Sequence, residues 1–215
     1  MIYSYWVSIM KKEPSQRNLK YFDEKIQSFG RQMGGVFTFS DLWNLTGAKT
    51  SVRTSEIIRR FLREGLLTKI QQNFYTTSNP DLWVLGCRLR PTAYVSMDSV
   101  LSRNALIGTV PEYSVSLVYP GNPKTVKTPF GTLRFFKCKK DLFFGIQTEK
   151  NGVKVADNEK AFLDILYYYM KGNRFVIDPK VDISVWKLNQ KKVKNYLTKY
   201  KNLKFRKFVE GVMRE

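Results

Sequence analysis

Apolar residues recur at helical spacing near the start of the chain. Leu19, Phe22, Ile26 and Phe29 fall on one face of a helix that the pattern predicts over about 18–29. Glycines follow this stretch, and glycine commonly ends a helix. We therefore expect the first packed element to be an amphipathic helix.

Two further helices are predicted downstream, joined by a short segment. Ser40 is a suitable N-cap for a brief helix over 41–46, and Gly47 breaks that helix. Thr50 can cap a longer helix over 51–64, which a further glycine ends. Two helices joined by a tight turn that contains glycine form the helix-turn-helix pattern.

A hairpin is predicted directly after the longer helix. The stretches 66–70 and 74–77 are typical of short strands, and they flank a turn formed by Gln71, Gln72 and Asn73. A hairpin in this position would be the wing of a winged helix.

A boundary between two domains is predicted at 79–81, where Asn, Pro and Asp follow one another. Residues 1–80, with a leader over 1–14, form the predicted winged helix-turn-helix domain. Residues 81–215 form a mixed α/β domain, so the predicted fold class is α+β. In this second domain the pattern predicts helices over 96–104, 158–170, 190–200 and 203–213, and strands over 113–119, 133–137 and 143–148. Asp157 can cap the helix over 158–170, and Glu159 and Lys160 are interpreted as residues of its first turn.

The longer helix of the first domain has two chemically different faces. At 100° per residue, Ile57, Ile58, Phe61 and Leu62 fall within an arc of about 140°. This arrangement fits either DNA binding or an ordinary amphipathic helix with a solvated basic face, and the neighbouring turn and hairpin favour DNA binding. The side opposite the apolar arc carries Arg53, Glu56, Arg59, Arg60 and Arg63.

The chain is basic along its whole length. Lys and Arg number 37 and Asp and Glu 18, which gives a net charge of +19 and a pI near 9.9. Residues 1–80 carry 12 basic and 6 acidic residues, 81–179 carry 14 and 9, and 180–215 carry 11 and 3. A folded chain with this charge repels itself, so we expect a polyanionic partner, most commonly nucleic acid. A membrane surface is the rival polyanion, and a role in solubility is the simplest alternative.

The start of the longer helix is the predicted base-reading end. Side chains in the first turn of a recognition helix reach base edges, and an arginine there can pair bidentately with guanine. We assign this role to Arg53, whereas Thr50 has a competing role as helix cap. Arg59, Arg60 and Arg63 lie farther along and suit phosphates, which set affinity and register. The candidate DNA-binding residues are Lys49, Thr50, Ser51, Arg53, Thr54, Arg59, Arg60 and Arg63 around the helix, and Lys69, Gln71, Gln72 and Asn73 in the hairpin.

The final segment is the most basic, and its lysines interleave with apolar residues. The pattern predicts helices that pack one face and expose the other. The exposed lysines either touch flanking DNA or an RNA, or they form a solvated helix face. The basic residues concerned are Lys187, Lys191, Lys192, Lys194, Lys199, Lys201, Lys204, Arg206 and Lys207.

Histidine is absent from the chain, which excludes Ser-His-Asp triads and zinc sites that contain histidine. Cys87 and Cys138 follow no metal or redox spacing, so we expect free thiols in a reducing cytoplasm. The chain has no phosphate-binding glycine loop and no convincing nuclease spacing of carboxylates. We therefore expect no catalytic residue, no metal and no cofactor, and we expect that the protein is not an enzyme. A basic nuclease is the alternative among enzymes.

The first ten residues are apolar but lack both the basic start and the small-residue cleavage site of a signal peptide. No apolar run approaches the roughly 18 residues that span a bilayer. We expect a soluble cytoplasmic protein that does not act at a membrane.

Three blocks of the second domain carry a resemblance to a known family. They are YVSMDSVL at 94–101 with ALI at 105–107, TPFG at 128–131, and ADNEKAFLDILY at 156–167. In order and spacing they resemble the YVSLESAL…GLI, TPLG and A-x-PEKALLDLLY blocks of the AbiEi antitoxins of abortive-infection systems. Asn158 stands where that family often has proline. The blocks are core and turn residues that define a fold, so they bear on fold and family more than on a site.

The resemblance implies an antitoxin that also represses transcription of its own operon, within a two-gene phage-defence module. The winged helix would bind inverted repeats in operator DNA. Because winged-helix repressors commonly bind such repeats as pairs, we expect two copies on the DNA. The second domain would counter a nucleotidyltransferase-like toxin without forming a stable complex with it. The alternative is a winged-helix regulator that binds DNA or RNA and has no connection with a toxin.

Overall fold

The computed structural model describes residues 16–108 and 113–214, so the leader predicted over 1–14 lies outside the described residues. The chain divides between Asp81 and Leu82 into two compact units, here called unit 1 and unit 2. The described residues form eight α-helices and two sheets, which makes the fold class α+β.

Unit 1 combines three helices with a small antiparallel sheet. The strands run in the order β1-β3-β2, so β3 is central. Its elements are α1 (Gln16–Gln32), β1 (Val36–Thr38), α2 (Phe39–Thr46), α3 (Ser51–Arg63), β2 (Thr68–Gln71) and β3 (Phe74–Thr76).

The core of unit 1 is formed by the apolar faces of the three helices and by side chains of the sheet. Phe37, Leu42 and Phe61 are fully buried at its centre. Burial of aliphatic and aromatic side chains of this size stabilises a fold by roughly 1.5–3 kcal/mol each, which is why the apolar arc of α3 faces inward. The remaining members of this cluster are Ile26, Ile57, Ile58, Leu67 and Tyr75.

The predicted N-cap of α2 was wrong by two residues. Thr38 caps the helix, and its Oγ1 accepts a hydrogen bond from the Asp41 amide at 3.2 Å. The Asp41 carboxylate in turn accepts from the Thr38 amide at 2.7 Å, which completes a reciprocal capping box. Ser40 lies exposed inside the first turn instead.

The β2–β3 hairpin turns through two residues, Gln72 and Asn73. Asn73 adopts a positive φ of 62°, which asparagine tolerates better than most residues. Its carbonyl accepts a hydrogen bond from the Phe39 amide at 3.0 Å. The tip of the hairpin is therefore tied to the start of α2.

Unit 2 is built around a six-stranded mixed sheet. The strand order is β6-β7-β5-β4-β9-β8, with parallel pairs β5–β7 and β4–β9 and antiparallel pairs elsewhere. The helices are α4 (Leu82–Leu89), α5 (Asp98–Arg103), α6 (Asn158–Met170), α7 (Gln190–Leu197) and α8 (Leu203–Val212); the strands are β4 (Tyr94–Val95), β5 (Ser114–Tyr119), β6 (Lys124–Thr128), β7 (Gly131–Lys137), β8 (Ile146–Thr148) and β9 (Lys154–Ala156).

Helix α6 is the central helix of unit 2. Asp157 caps it as predicted, since its Oδ1 accepts from the Lys160 amide at 2.8 Å. The helix packs against α5, α7, α8 and β9 and is buried on nearly all sides. It therefore has no free polar face.

The two outer strands of the large sheet differ in character. β6 carries exposed Lys124 and Lys127 and follows Pro123, whereas β8 has only three residues.

Among the described residues, no helix is both long enough and apolar enough to cross a membrane.

Candidate nucleic-acid interface

The outer face of α3 is cationic in the structure. Arg53, Arg59 and Arg63 are exposed, and Arg60 is half-buried. Their positions follow from the apolar arc of the helix, because packing of Ile57, Ile58 and Phe61 turns the arginines outward. The structure thus brings all four predicted arginines to one helix.

Two of these arginines are held by carboxylates of the same helix segment. Arg53 forms an ion pair with Glu56 at 2.8 Å, and Arg60 forms one with Glu64 at 2.8 Å. Exposed pairs of this kind contribute only about 0–1 kcal/mol. A phosphate or a base edge can therefore compete for either guanidinium at little cost.

The predicted residues at the start of α3 separate into exposed and buried groups. Lys49, Thr50 and Ser51 are exposed, and the Thr50 hydroxyl accepts from the Arg53 amide at 3.2 Å as the predicted cap. Thr54 is fully buried, and its hydroxyl donates to the Thr50 carbonyl at 3.2 Å. Its assignment to the DNA-contacting surface was wrong, because at 100° per residue Thr54 falls inside the apolar arc.

Val52 is a residue of this surface that the sequence analysis missed. It lies in the first turn of α3 and is 66% exposed, on the side opposite the apolar arc. Where a helix lies in a major groove, an apolar side chain of this kind can contact the methyl group of thymine. The signal was present in the sequence, since valine on the cationic face has no packing role to explain it.

The hairpin presents a second polar surface. Lys69, Gln72 and Asn73 are exposed and Gln71 is half-buried. Lys69 lies opposite Tyr75 and Gln71 opposite Phe74, with an irregularity in the register between the two pairs. The predicted hairpin residues therefore cluster at the turn and the adjoining end of β2.

The turn between α2 and α3 is fixed by one indole and one glycine. Trp43 Nε1 donates to the Ala48 carbonyl at 2.8 Å, and Gly47 has a positive φ of 60°. Glycine reaches that conformation without strain. The turn that leads into the exposed start of α3 is thus held by a specific hydrogen bond.

Unit 2 holds a buried polar cluster that the sequence analysis did not foresee. The Lys160 ammonium lies 2.6 Å from Asp164 Oδ1, and both side chains are almost completely buried. Asp164 Oδ2 accepts from the Tyr94 hydroxyl at 3.0 Å and the Ser96 hydroxyl at 2.8 Å. Lys160 also donates to the Tyr200 hydroxyl at 3.3 Å. The lysine was interpreted as an ordinary residue of the first helical turn, and that interpretation does not account for its burial.

The environment of this cluster suits structure rather than acid–base chemistry. Burial, followed by the charge of Asp164, raises the pKa of Tyr94 and of Tyr200 well above the usual tyrosine range. Burial also raises the pKa of the Cys138 thiol to about 11. Raised pKa values keep these hydroxyl and thiol groups protonated at neutral pH, and the thiol is a much weaker nucleophile than the thiolate.

The carboxylates at the start of α6 are likewise engaged. Lys192 lies 3.2 Å from Asp157 and 3.0 Å from Glu159, and the Asn189 amide donates to Glu159 at 3.0 Å. Burial alone would raise the pKa of Glu159, but the Asn189 amide and Lys192 lower it overall.

Among the described residues, no group of three or more Cys, Asp or Glu side chains is arranged to hold a metal ion.

The three blocks that carry the family resemblance lie in the interior and turns of unit 2. The first spans β4 and α5, the second is the turn between β6 and β7, and the third runs from the end of β9 into α6. Tyr94 and Ser96 of the first block meet Asp164 of the third in the buried cluster. The polar residues of these blocks therefore stabilise one another.

Comparison with known proteins gives a fold relationship. No protein-family model matches the chain, and no curated protein matches it. Among solved structures, the crystal structure of the RV2827C protein from Mycobacterium tuberculosis is similar, with a TM-score of 0.58 and 11% sequence identity. The match covers 88% of this chain and 74% of that one. At this identity the likeness concerns the fold alone.

Proposed function

We propose that unit 1 is a winged helix-turn-helix that binds duplex DNA, and that the protein is a transcriptional repressor. The observation that carries this proposal is the arginine surface of α3, which faces outward. Along the chain, α3 follows the short helix α2 after a tight turn, and it precedes a hairpin whose turn is polar and exposed. α3 has the length and shape to enter a major groove.

The proposed division of labour follows from position along α3. Arg53, in the first turn, pairs with a guanine after exchanging its contact with Glu56, and Val52 packs on a thymine methyl. Arg59 and Arg63 contact phosphates, which fix register without reading bases. Lys69 and the hairpin turn contact the flanking backbone. Thr50 contributes by capping the helix that presents Arg53.

We further propose that the repressor is the antitoxin of a two-gene module and controls its own operon. The support for this step is the series of sequence blocks at 94–107, 128–131 and 156–167, which resembles the AbiEi antitoxins. In that role unit 2 counters a nucleotidyltransferase-like toxin without a stable complex, and two copies occupy an inverted repeat. The proposal includes no enzymatic activity, no cofactor and a cytoplasmic location.

Binding of the promoter duplex at several salt concentrations tests the DNA-binding proposal. Each phosphate neutralised contributes about −0.9 to the slope of log K against log salt, so the affinity should fall steeply with salt. Arg53→Ala should remove the preference for the cognate repeat over scrambled DNA, by roughly 1–3 kcal/mol. Arg63→Ala should weaken cognate and scrambled duplexes equally. Equal loss of preference from both variants would refute the assigned roles.

A growth assay tests the antitoxin proposal separately. The gene that lies next to this one in the genome is the candidate toxin gene, and it is expressed together with the full-length protein or with the Arg59→Ala/Arg63→Ala variant. The variant should lose repression and still restore growth, because the proposed neutralising unit is untouched. If the wild-type protein restores no growth while still binding the operator, the antitoxin role fails and the repressor role stands.

A nuclease is the alternative function, and a separate assay tests it. Degradation of nucleic acid by the purified protein in the presence of magnesium would favour a nuclease over a repressor.

A further inference from the structure

The basic residues at the end of unit 2 fall into two groups. One group is used inside the unit: Arg206 donates to the Tyr200 carbonyl at 2.7 Å and to the Thr198 carbonyl at 2.6 Å, and Lys192 is held by the two carboxylates near the start of α6. The other group is exposed and forms no ion pair with a described residue. It includes Lys191, Lys194, Lys201, Lys204 and Lys207.

A groove of about 480 Å³ lies between α7 and α8 and includes the residues that directly follow each helix. Lys194, Arg206 and Arg214 line it, and Glu210 contributes a carboxylate. The three cations outnumber that carboxylate, and the other exposed lysines of this part of the chain add to its positive charge. A positively charged groove of this kind attracts a phosphodiester backbone.

An exposed indole lies on the turn that directly precedes α7. Trp186, on a 3-10 turn over Val185–Lys187, is 77% exposed. Gln190 donates from Nε2 to the Val185 carbonyl at 3.1 Å, which holds the turn against the first turn of α7. Gln190 also lines the groove. The turn that carries this exposed aromatic side chain is therefore bonded to a residue that lines the cationic groove.

We propose that Trp186 and the α7–α8 groove form a second nucleic-acid-binding surface, which takes single-stranded RNA. The lysines would neutralise phosphates, and the indole would stack on an unpaired base. Bases inside a duplex are already stacked on one another and offer no free face to an indole. This surface lies in the other unit from the proposed DNA-binding helix and has a different ligand.

Fluorescence anisotropy with an oligouridine of about 12 nucleotides tests the stacking role. Trp186→Ala should weaken binding about 5- to 150-fold, since stacking on an aromatic side chain has that range of effect per base. Trp186→Phe should retain most of the affinity, whereas Trp186→Leu should lose it. Val181→Ala is the matched control, because Val181 lies in the same connecting segment and is 72% exposed. It should bind like wild type.

A charge-matched pair of double variants tests the groove. Lys194→Gln/Arg214→Gln removes two cations that line it. The salt slope should fall by about 1.4, because each phosphate of a single strand that the protein no longer neutralises accounts for about 0.7. The control, Lys139→Gln/Lys140→Gln, changes two exposed lysines of the same unit that do not line the groove, and it should leave the slope nearly unchanged.

Several results would overturn the proposal. One is wild-type affinity in Trp186→Ala, and another is an equal loss of salt slope in the groove variant and its control. A third is competition by a duplex that is as effective as competition by the single strand. A fourth is a preference for phosphatidylglycerol vesicles over the oligonucleotide. The Arg53→Ala/Arg63→Ala variant separates the two surfaces: it should lose duplex binding and keep single-strand binding. Loss of both would place the RNA on unit 1 and overturn the proposal.

Discussion

Helices α3 and α6 are each 13 residues long, and they use charged side chains in opposite ways. α3 buries one face and turns its arginines to solvent. α6 is buried on nearly all sides and encloses Lys160 and Asp164 within the core. Residue type alone therefore does not reveal the role of a cation, because the surrounding elements decide whether it is hydrated or paired.

The contrast has an energetic meaning. An exposed arginine keeps its hydration and remains available to an external anion at little cost to the fold. A buried ammonium has lost its water, so it depends on its carboxylate and on hydroxyl partners. Changes in α6 should therefore act on stability, and changes on the outer face of α3 on binding.

The largest effect is expected from Lys160→Met. This substitution leaves the Asp164 charge buried without its partner, and breaking such a pair typically costs 3–5 kcal/mol. Urea unfolding should show that loss in the free energy of unfolding. The double variant Lys160→Met/Asp164→Asn should recover much of it, since an amide oxygen can still accept from Tyr94 and Ser96. If Lys160→Met alone unfolds like wild type, the contrast between the helices fails.

A smaller, pH-dependent effect is expected from Glu159→Gln. Because the pKa of Glu159 is lowered in the folded protein, its ionised form contributes stability above the ordinary glutamate pKa, and this contribution is lost as pH falls through the lowered value. The variant should be less stable at neutral pH by roughly 1–2 kcal/mol. Unfolding curves at neutral and strongly acid pH should show the difference shrinking on acidification. A difference that grows instead would contradict the assignment.

The smallest effect is expected at the cap of α3. Thr50→Ala should lower the free energy of unfolding by about 1 kcal/mol, because the Arg53 amide loses its acceptor. Thr50→Asp keeps an acceptor there and should restore stability while weakening duplex binding, since it places a negative charge at the start of α3. Calorimetry and duplex titration of the two variants measure the two roles. Equal duplex affinity in Thr50→Asp and wild type would remove Thr50 from the proposed interface.

The sequence predicted those elements whose signals are local. The period of α3, its cap at Thr50 and the cap of α6 at Asp157 were all confirmed, because they depend on neighbours within a few residues. Helix α4 and strands β1, β4, β6 and β9 were not predicted. α4 is apolar on most sides, so it lacks the alternation that marks an amphipathic helix. β4 is only two residues long and gains its identity from pairing with β5 and β9.

The candidate surface was predicted less evenly. The outward position of Arg53, Arg59 and Arg63 followed from the helical period, and the same period would have removed Thr54 and added Val52. The burial of Lys160 could not be predicted in this way, because its spacing of four residues from Asp164 is also typical of an exposed ion pair. Only the packing of distant elements around α6 distinguishes the two cases.

The edges of the large sheet limit how copies of the protein can assemble. An outer strand with open amide and carbonyl groups invites a strand from another molecule, and lysines, a preceding proline and short length all oppose such pairing. β6 has the first two features and β8 the third. Concentrated samples should therefore resist fibrous aggregation through this sheet, and two copies are not expected to associate by pairing its outer strands.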